Sequence, residues 1–144
     1  MSSNSTIVGN LTRDPELHIA PSGMAVLSFS VAVNKNKKGA NGEWEKEAHY
    51  FDCVCFGDQA ENVAASATKG NRLIVSGYLQ QRTWEDKDSG AKRSKVELVA
   101  DEVAVSLRWA TAAITKVEFD SEGGGGNRAP QQSRQQNSFN EEPF

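Results

Sequence analysis

The 144-residue sequence predicts an all-β barrel interrupted by one helix, with a tail outside the fold. Three observations carry this. Five stretches alternate apolar and polar residues with the period of a half-buried strand. One segment between the third and fourth of them follows helical spacing. From Glu122 onward the chain is rich in Gly, Gln, Ser and Asn, with almost no aliphatic residue.

Ile7 to Leu11 forms a short first strand. In the second, Ala25, Leu27, Phe29, Val31 and Val33 alternate with smaller or polar residues. The third, His49 to Phe56, places Tyr50, Asp52, Val54 and Phe56 on one face and Phe51, Cys53 and Cys55 on the other. Asp58 is placed to cap the helix with Glu61 three residues on; Ala60, Val63, Ala64 and Ala67 follow, and Gly70 ends it. A fourth strand sets Leu73, Val75, Gly77 and Leu79 against Arg72, Ile74, Ser76, Tyr78, Gln80, Arg82 and Trp84. Val96, Leu98 and Ala100 mark a fifth. The order β, β, β, α, β, β is the chain order of the OB-fold, a five-stranded barrel that binds oligonucleotides. The expected domain runs over residues 1–117, and residues 118–144 form a tail too poor in apolar side chains to offset its ordering entropy.

Two connections are long and polar: NKNKKGANGEWEKEA from Asn34 to Ala48, and WEDKDSGAKR from Trp84 to Arg93. They are expected to project as flexible hairpins carrying Lys35, Lys37, Lys38, Lys46, Lys87, Lys92 and Arg93, charge suited to neutralising a phosphate backbone. The formal net charge of −3 belongs to the tail. Residues 1–117 hold 14 basic and 14 acidic side chains, and residues 118–144 hold 2 and 5. Placement of cations, not overall charge, therefore decides whether the domain suits a polyanion.

Several function classes find no support. No apolar run approaches the roughly 18–20 residues of a membrane span, and the opening MSSNST lacks a basic segment followed by an apolar stretch, so a cytoplasmic protein with no membrane partner is expected. Cys53 and Cys55 share one strand face, and with only His18 and His49 elsewhere they lack the spacing of a structural zinc site; buried thiols are expected and no metal. The glycine-containing segments lack a phosphate-loop lysine. No Ser-His-Asp or Cys-His constellation is recognisable, so neither a catalytic residue nor a cofactor is assigned.

Stacking on unpaired bases needs flat apolar rings on a surface, with cations spaced along the backbone. Tyr50 and Phe56 share parity on the third strand, Arg82 and Trp84 share it on the fourth, and Trp44 in the first long connection is placed to fold over a bound strand. Aromatics in strands also serve as core or as subunit interface. Phe51, Cys53, Cys55, Leu73, Val75 and Leu79 on the opposite faces already supply a core, which leaves Tyr50, Phe56 and Trp84 surplus to it.

The segments VGNLTRDPEL, PSGMAVLSFSVAVN and FGDQAENVAASATKGNRLIVSGYLQQRTWEDKDSG resemble the bacterial and phage single-stranded DNA-binding protein family over nearly all of residues 6–117, and the terminal NEEPF is similar to that family's acidic tip. The resemblance implies an OB-fold assembled as a homotetramer, with single-stranded DNA wrapped across Tyr50, Phe56 and Trp84. It also implies service in replication, recombination and repair. SLRWATAAITK, Ser106 to Lys116, looks most like the extra strand of actinobacterial members. Many members carry a tryptophan where this chain has Lys35, Lys37 and Lys38, so Trp44, farther along, takes no role by matching. Arg72, Arg82, Arg93 and those three lysines are the expected phosphate contacts.

Glu141, Glu142, Pro143 and Phe144 join an aromatic ring and a terminal carboxylate to two acidic side chains on a tether, which suits an apolar pocket ringed by Arg or Lys on a partner protein. Two other readings of the chain are an OB-fold adaptor whose aromatics lie between subunits, and an enzyme subunit or small hydrolase. An RNA chaperone is a milder variant of the single-strand-binding reading, since stacking alone does not distinguish ribose from deoxyribose.

Overall fold

A computed structural model describes residues 3–118. Its elements are β1 (Asn4–Leu11), β2 (Glu16–Ile19), β3 (Ala25–Lys38), β4 (Trp44–Phe56), α1 (Gly57–Ser66), β5 (Arg72–Glu85) and β6 (Lys92–Val105). The strands pair in the order β1-β5-β6-β4-β3, and β1 pairs with β3 at Asn10↔Ala32 and Leu11↔Val31, which closes the five into a ring. All pairings are antiparallel except β4 with β6, which meet in parallel at Cys53↔Leu98 and Val54↔Val99. This is the expected OB-fold, with its helix between the third and fourth barrel strands. Among the described residues, the compact unit that holds the barrel ends at Ala112.

Closure needs strands that bend, and a bulge supplies one such bend. Ser76 faces Glu102 but Gly77 faces Ala100, so Asp101 is left unpaired on β6. A Cβ on Gly77 would collide with the Val99 carbonyl, so the two backbones can approach this closely only at glycine. Gln59 of α1 braces the irregularity: its Nε2 donates to the Asp101 carbonyl at 3.2 Å, and its Oε1 accepts the Val103 N–H at 2.8 Å.

Inside the ring, Leu27, Phe29, Val31, Cys55, Leu73, Val75 and Leu98 are fully buried. Ala60, Val63 and Ala67 of α1 join the same cluster. Burial lifts the Cys53 thiol from its ordinary 9.0 to about 12, with the Asp52 charge adding to the effect, and burial alone lifts Cys55 to about 11. Both thiols are free, as the spacing leads one to expect.

Several expectations change. The barrel has an extra hairpin strand, β2, paired with β3 from Glu16↔Ser28 to Ile19↔Ala25. It is four residues long and exposed throughout, so it carries no alternation for sequence to reveal. Asp58 is not the helix cap. Phe56 occupies that position in extended backbone without a side-chain cap, and Asp58 lies in the first turn, where its charge still complements the helix dipole. The helix ends at Ser66, and Gly70, at φ 90°, serves the turn into β5 by donating its N–H to the Leu11 carbonyl.

Phe51 and Leu79 were expected in the core, yet they are 40% and 44% exposed. β4 meets β6 only at Cys53 and Val54, and β1 meets β5 only as far as Tyr78, so both residues lie one or two positions past the end of barrel closure. The two polar connections are likewise not loops. β3 and β4 stay paired out to Lys38↔Trp44, and β5 and β6 out to Glu85↔Lys92, so they are two-stranded ribbons with short turns. Ser106 to Lys116 forms no strand; no register pair involves it, and a strand requires an edge to pair with. Of the expected tail at 118–144, residues 119–144 lie outside the described residues.

Candidate nucleic-acid interface

Strand alternation and register together assign one outer face that crosses three strands. The pairs Tyr78↔Val99 and Val54↔Val99 put the even-numbered residues of β5 and β4 on the same side as the odd-numbered residues of β6. That side carries Tyr78, Gln80, Arg82 and Trp84 on β5, Arg93, Lys95, Glu97 and Val99 on β6, and Tyr50, Asp52, Val54 and Phe56 on β4. Its floor is apolar, since Val54 and Val99 are buried although they point away from the barrel interior. Around this floor stand rings that remain open: Tyr50 is 69% exposed, Phe56 43%, Trp84 45%, and Trp44, farther out on β4, 73%.

Trp84 faces Arg93 directly across the β5–β6 ribbon. The two line an open depression of about 470 Å³ with Thr83, Glu85, Lys92 and Ser94, so a ring and cations share one groove. Arg93 is held by its Nε, which donates to Asp86 Oδ2 at 3.1 Å and anchors the guanidinium against the ribbon turn. Arg82 lies two residues before Trp84; its Nη1 is 4.0 Å from Oε1 of Glu97, a carboxylate that is largely buried while the arginine is exposed.

The structure does not bring all the expected cations to this face. On the β3–β4 ribbon Lys38 is opposite Trp44, with the parity of Tyr50, but Lys35 faces Glu47 and Lys37 faces Glu45 on the other side. Arg72 is ten residues from Arg82 along β5, roughly 33 Å of extended chain. Its guanidinium stacks over Trp109 at 4.7 Å from the ring centre, with Arg108 at 4.9 Å from the same ring. Arg72 therefore belongs to a separate cluster with Trp109.

Two residues on the outer face escaped sequence reasoning. Tyr78 has the same parity as Trp84 and a half-exposed ring. Lys46, expected among the cations of the first connection, shares the parity of Trp44 and Tyr50. Lys95 becomes visible only once β6 is extended back from Val96, and its Nζ reaches across to Asp52 Oδ2 of β4 at 3.1 Å.

Among the described residues no group of His, Cys, Asp and Glu is placed to hold a metal ion, and no helix is long and apolar enough to cross a membrane. A closed OB barrel with exposed rings and interleaved cations on one sheet face defines the class: a binding module of the oligonucleotide-reading type. Comparison with known proteins makes this particular. The model of the Single-strand binding protein family matches residues 3–106, and the chain belongs to that family. A Single-stranded DNA-binding protein of Mycobacterium tuberculosis is 47% identical over 131 residues, covering 89% of this chain and 79% of the relative. The protein of the same description from Mycolicibacterium smegmatis is 48% identical over 113 residues, covering 77% and 68%. Single-stranded DNA-binding protein 2 of Streptomyces coelicolor is 46% identical over 120 residues, covering 82% and 60%. The actinobacterial leaning of the resemblance agrees with these relatives.

Proposed function

We propose that this chain binds single-stranded DNA with little sequence preference by stacking bases on Tyr50, Phe56 and Trp84, with Trp44 closing over the strand from the β3–β4 ribbon. The observation that carries this reading is the juxtaposition of those exposed rings with Lys38, Arg82 and Arg93 on one face of a family member. A base has a flat apolar surface whatever its identity, so stacking contributes about 1–3 kcal/mol per base without reading sequence. Phosphate neutralisation adds affinity that falls as salt rises. Lys35, Lys37 and Arg72 are assigned to the outer path of the strand, away from the rings.

In this reading residues 1–117 are the DNA-binding domain and residues 118–144 the tail. The domain shields single strands during replication, recombination and repair in the cytoplasm, at the nucleoid. Glu141, Glu142, Pro143 and Phe144 recruit the enzymes of those processes. The chain works as a homotetramer, a reading supported by exposed apolar side chains such as Ile74 on β5 and Ile19 on β2, which a second copy would cover. No cofactor takes part.

Tryptophan fluorescence during titration with oligo-dT at two salt concentrations tests the reading. Quenching with an affinity that weakens as salt rises is expected. Unchanged fluorescence would favour the adaptor reading, in which the aromatics meet protein and not bases.

A further inference from the structure

Beyond the two register pairs that join β4 to β6, one ion pair among the described residues crosses the seam: Lys95 Nζ to Asp52 Oδ2, 3.1 Å, with both side chains half-exposed. Asp52 lies two residues from Tyr50 and four from Phe56 with the same parity, so the ion pair sits between the two rings. A carboxylate in the middle of a surface that meets a polyanion opposes binding unless a cation covers it. Lys95 supplies that cation, and its flexible stem leaves the ammonium free to turn outward.

We propose that Lys95 is a further phosphate ligand of the single-strand face and that Asp52 is its internal competitor, so that DNA binding proceeds by exchange of Lys95 from Asp52 to a phosphate. The inference rests on the stacking face described above. The exchange leaves Asp52 uncovered, and the free carboxylate draws a cation back from solution. That uptake cancels one of the counterions released by the DNA, so the pair lowers both the affinity and its dependence on salt. An exposed pair of this kind contributes little to folding, which makes its effect on binding separable from any effect on stability.

Asp52→Asn keeps the shape and removes the competing charge. It is expected to tighten oligo-dT binding and to steepen the slope of log K against log salt by about 0.7, so that the variant gains about 2.6-fold over the parent between 200 and 50 mM salt. Asp52→Ser should do the same, which guards against an effect peculiar to the amide. Lys95→Ala placed on Asp52→Asn should remove both the gain and the extra slope. Unchanged or weaker binding by Asp52→Asn, with the parent's slope and an intact circular dichroism spectrum, would overturn the inference and leave the pair as a strap between strands. Tyr50→Ala is measured alongside. If it weakens binding while Asp52→Asn does not tighten it, only the exchange fails; if Tyr50→Ala has no effect, the face itself has been misassigned.

Discussion

Leu27, Val31, Leu73, Val75 and Leu98 each have a neighbouring strand on both sides, and all are buried. Farther along the same strands, Lys38, Trp84 and Lys92 have a neighbour on one side only, and both faces of the ribbon meet solvent. The backbone conformation is the same in the two regions. What differs is ring closure: inside the closed ring alternation decides which strand side chains become core, as buried Leu73 and Val75 flank exposed Ile74, and beyond closure neither face is buried. The barrel holds the fold, and the ribbons and the seam between them hold the rings and cations.

This division is broken most severely from the barrel side. Leu27 is fully buried beside Cys55 on β4 and Leu17 on β2. Leu27→Ala removes apolar contacts and leaves a cavity, and is expected to cost about 2–5 kcal/mol of stability, read as a lowered urea midpoint with the slope unchanged. A midpoint within error of the parent would mean that closure does not define the core as described.

The thiols probe the same region by pH. With Cys53 raised to about 12 and Cys55 to about 11, the folded chain keeps protons that the unfolded chain releases from about pH 9. Stability from these groups is therefore complete below pH 9 and declines as pH rises from there toward 11–12. Urea midpoints at pH 8 and pH 10 should separate more in the parent than in a Cys53→Ala, Cys55→Ala variant. Equal separation would show that the thiols titrate alike in both states.

The ribbon side should behave in the opposite way. Trp84→Ala is expected to leave the circular dichroism spectrum and urea midpoint near those of the parent while weakening oligo-dT binding by about one stacked base, ~1–3 kcal/mol. A collapsed spectrum would place Trp84 with the core and erase the distinction between the two regions.

The same comparison explains what could be read from sequence. Inside the ring, period-two alternation and burial coincide, so Leu27, Phe29, Leu73 and Val75 are legible as core, and the order of the strands with one helix identifies the barrel. Phe51 and Leu79 are misread because alternation reports which side a residue faces, not where the next strand ends. Lys95 is missed for a related reason: the apolar residues of β6 begin at Val96, and the polar start of a ribbon strand gives no hydrophobic period to detect. Register across three strands, which brings Lys95 to Asp52, is a tertiary property with no local signal. The rings Tyr50, Phe56 and Trp84 are legible as surplus to the core, but their gathering on one face depends on β6 lying between β4 and β5.

The smallest effect sharpens the comparison most, because it asks whether alternation still matters where burial has ceased. Lys38 and Lys35 lie on one ribbon, three residues apart and both exposed. Lys38 has the parity of Tyr50 and faces Trp44, whereas Lys35 points to the other side, opposite Glu47. If the ribbon presents one face to the strand, Lys38→Ala should lower the salt slope of oligo-dT binding by about 0.7, one phosphate's worth, and Lys35→Ala should change it far less. The opposing Glu47 reinforces this asymmetry, since it already partly neutralises the field of Lys35. Equal losses from the two variants would mean that the strand wraps the ribbon and touches both sides, in which case the pleat orders the barrel but not the path of the DNA. Unequal losses would mean that a two-stranded ribbon, with no core beneath it, still sorts its charges by parity and guides the backbone along one side.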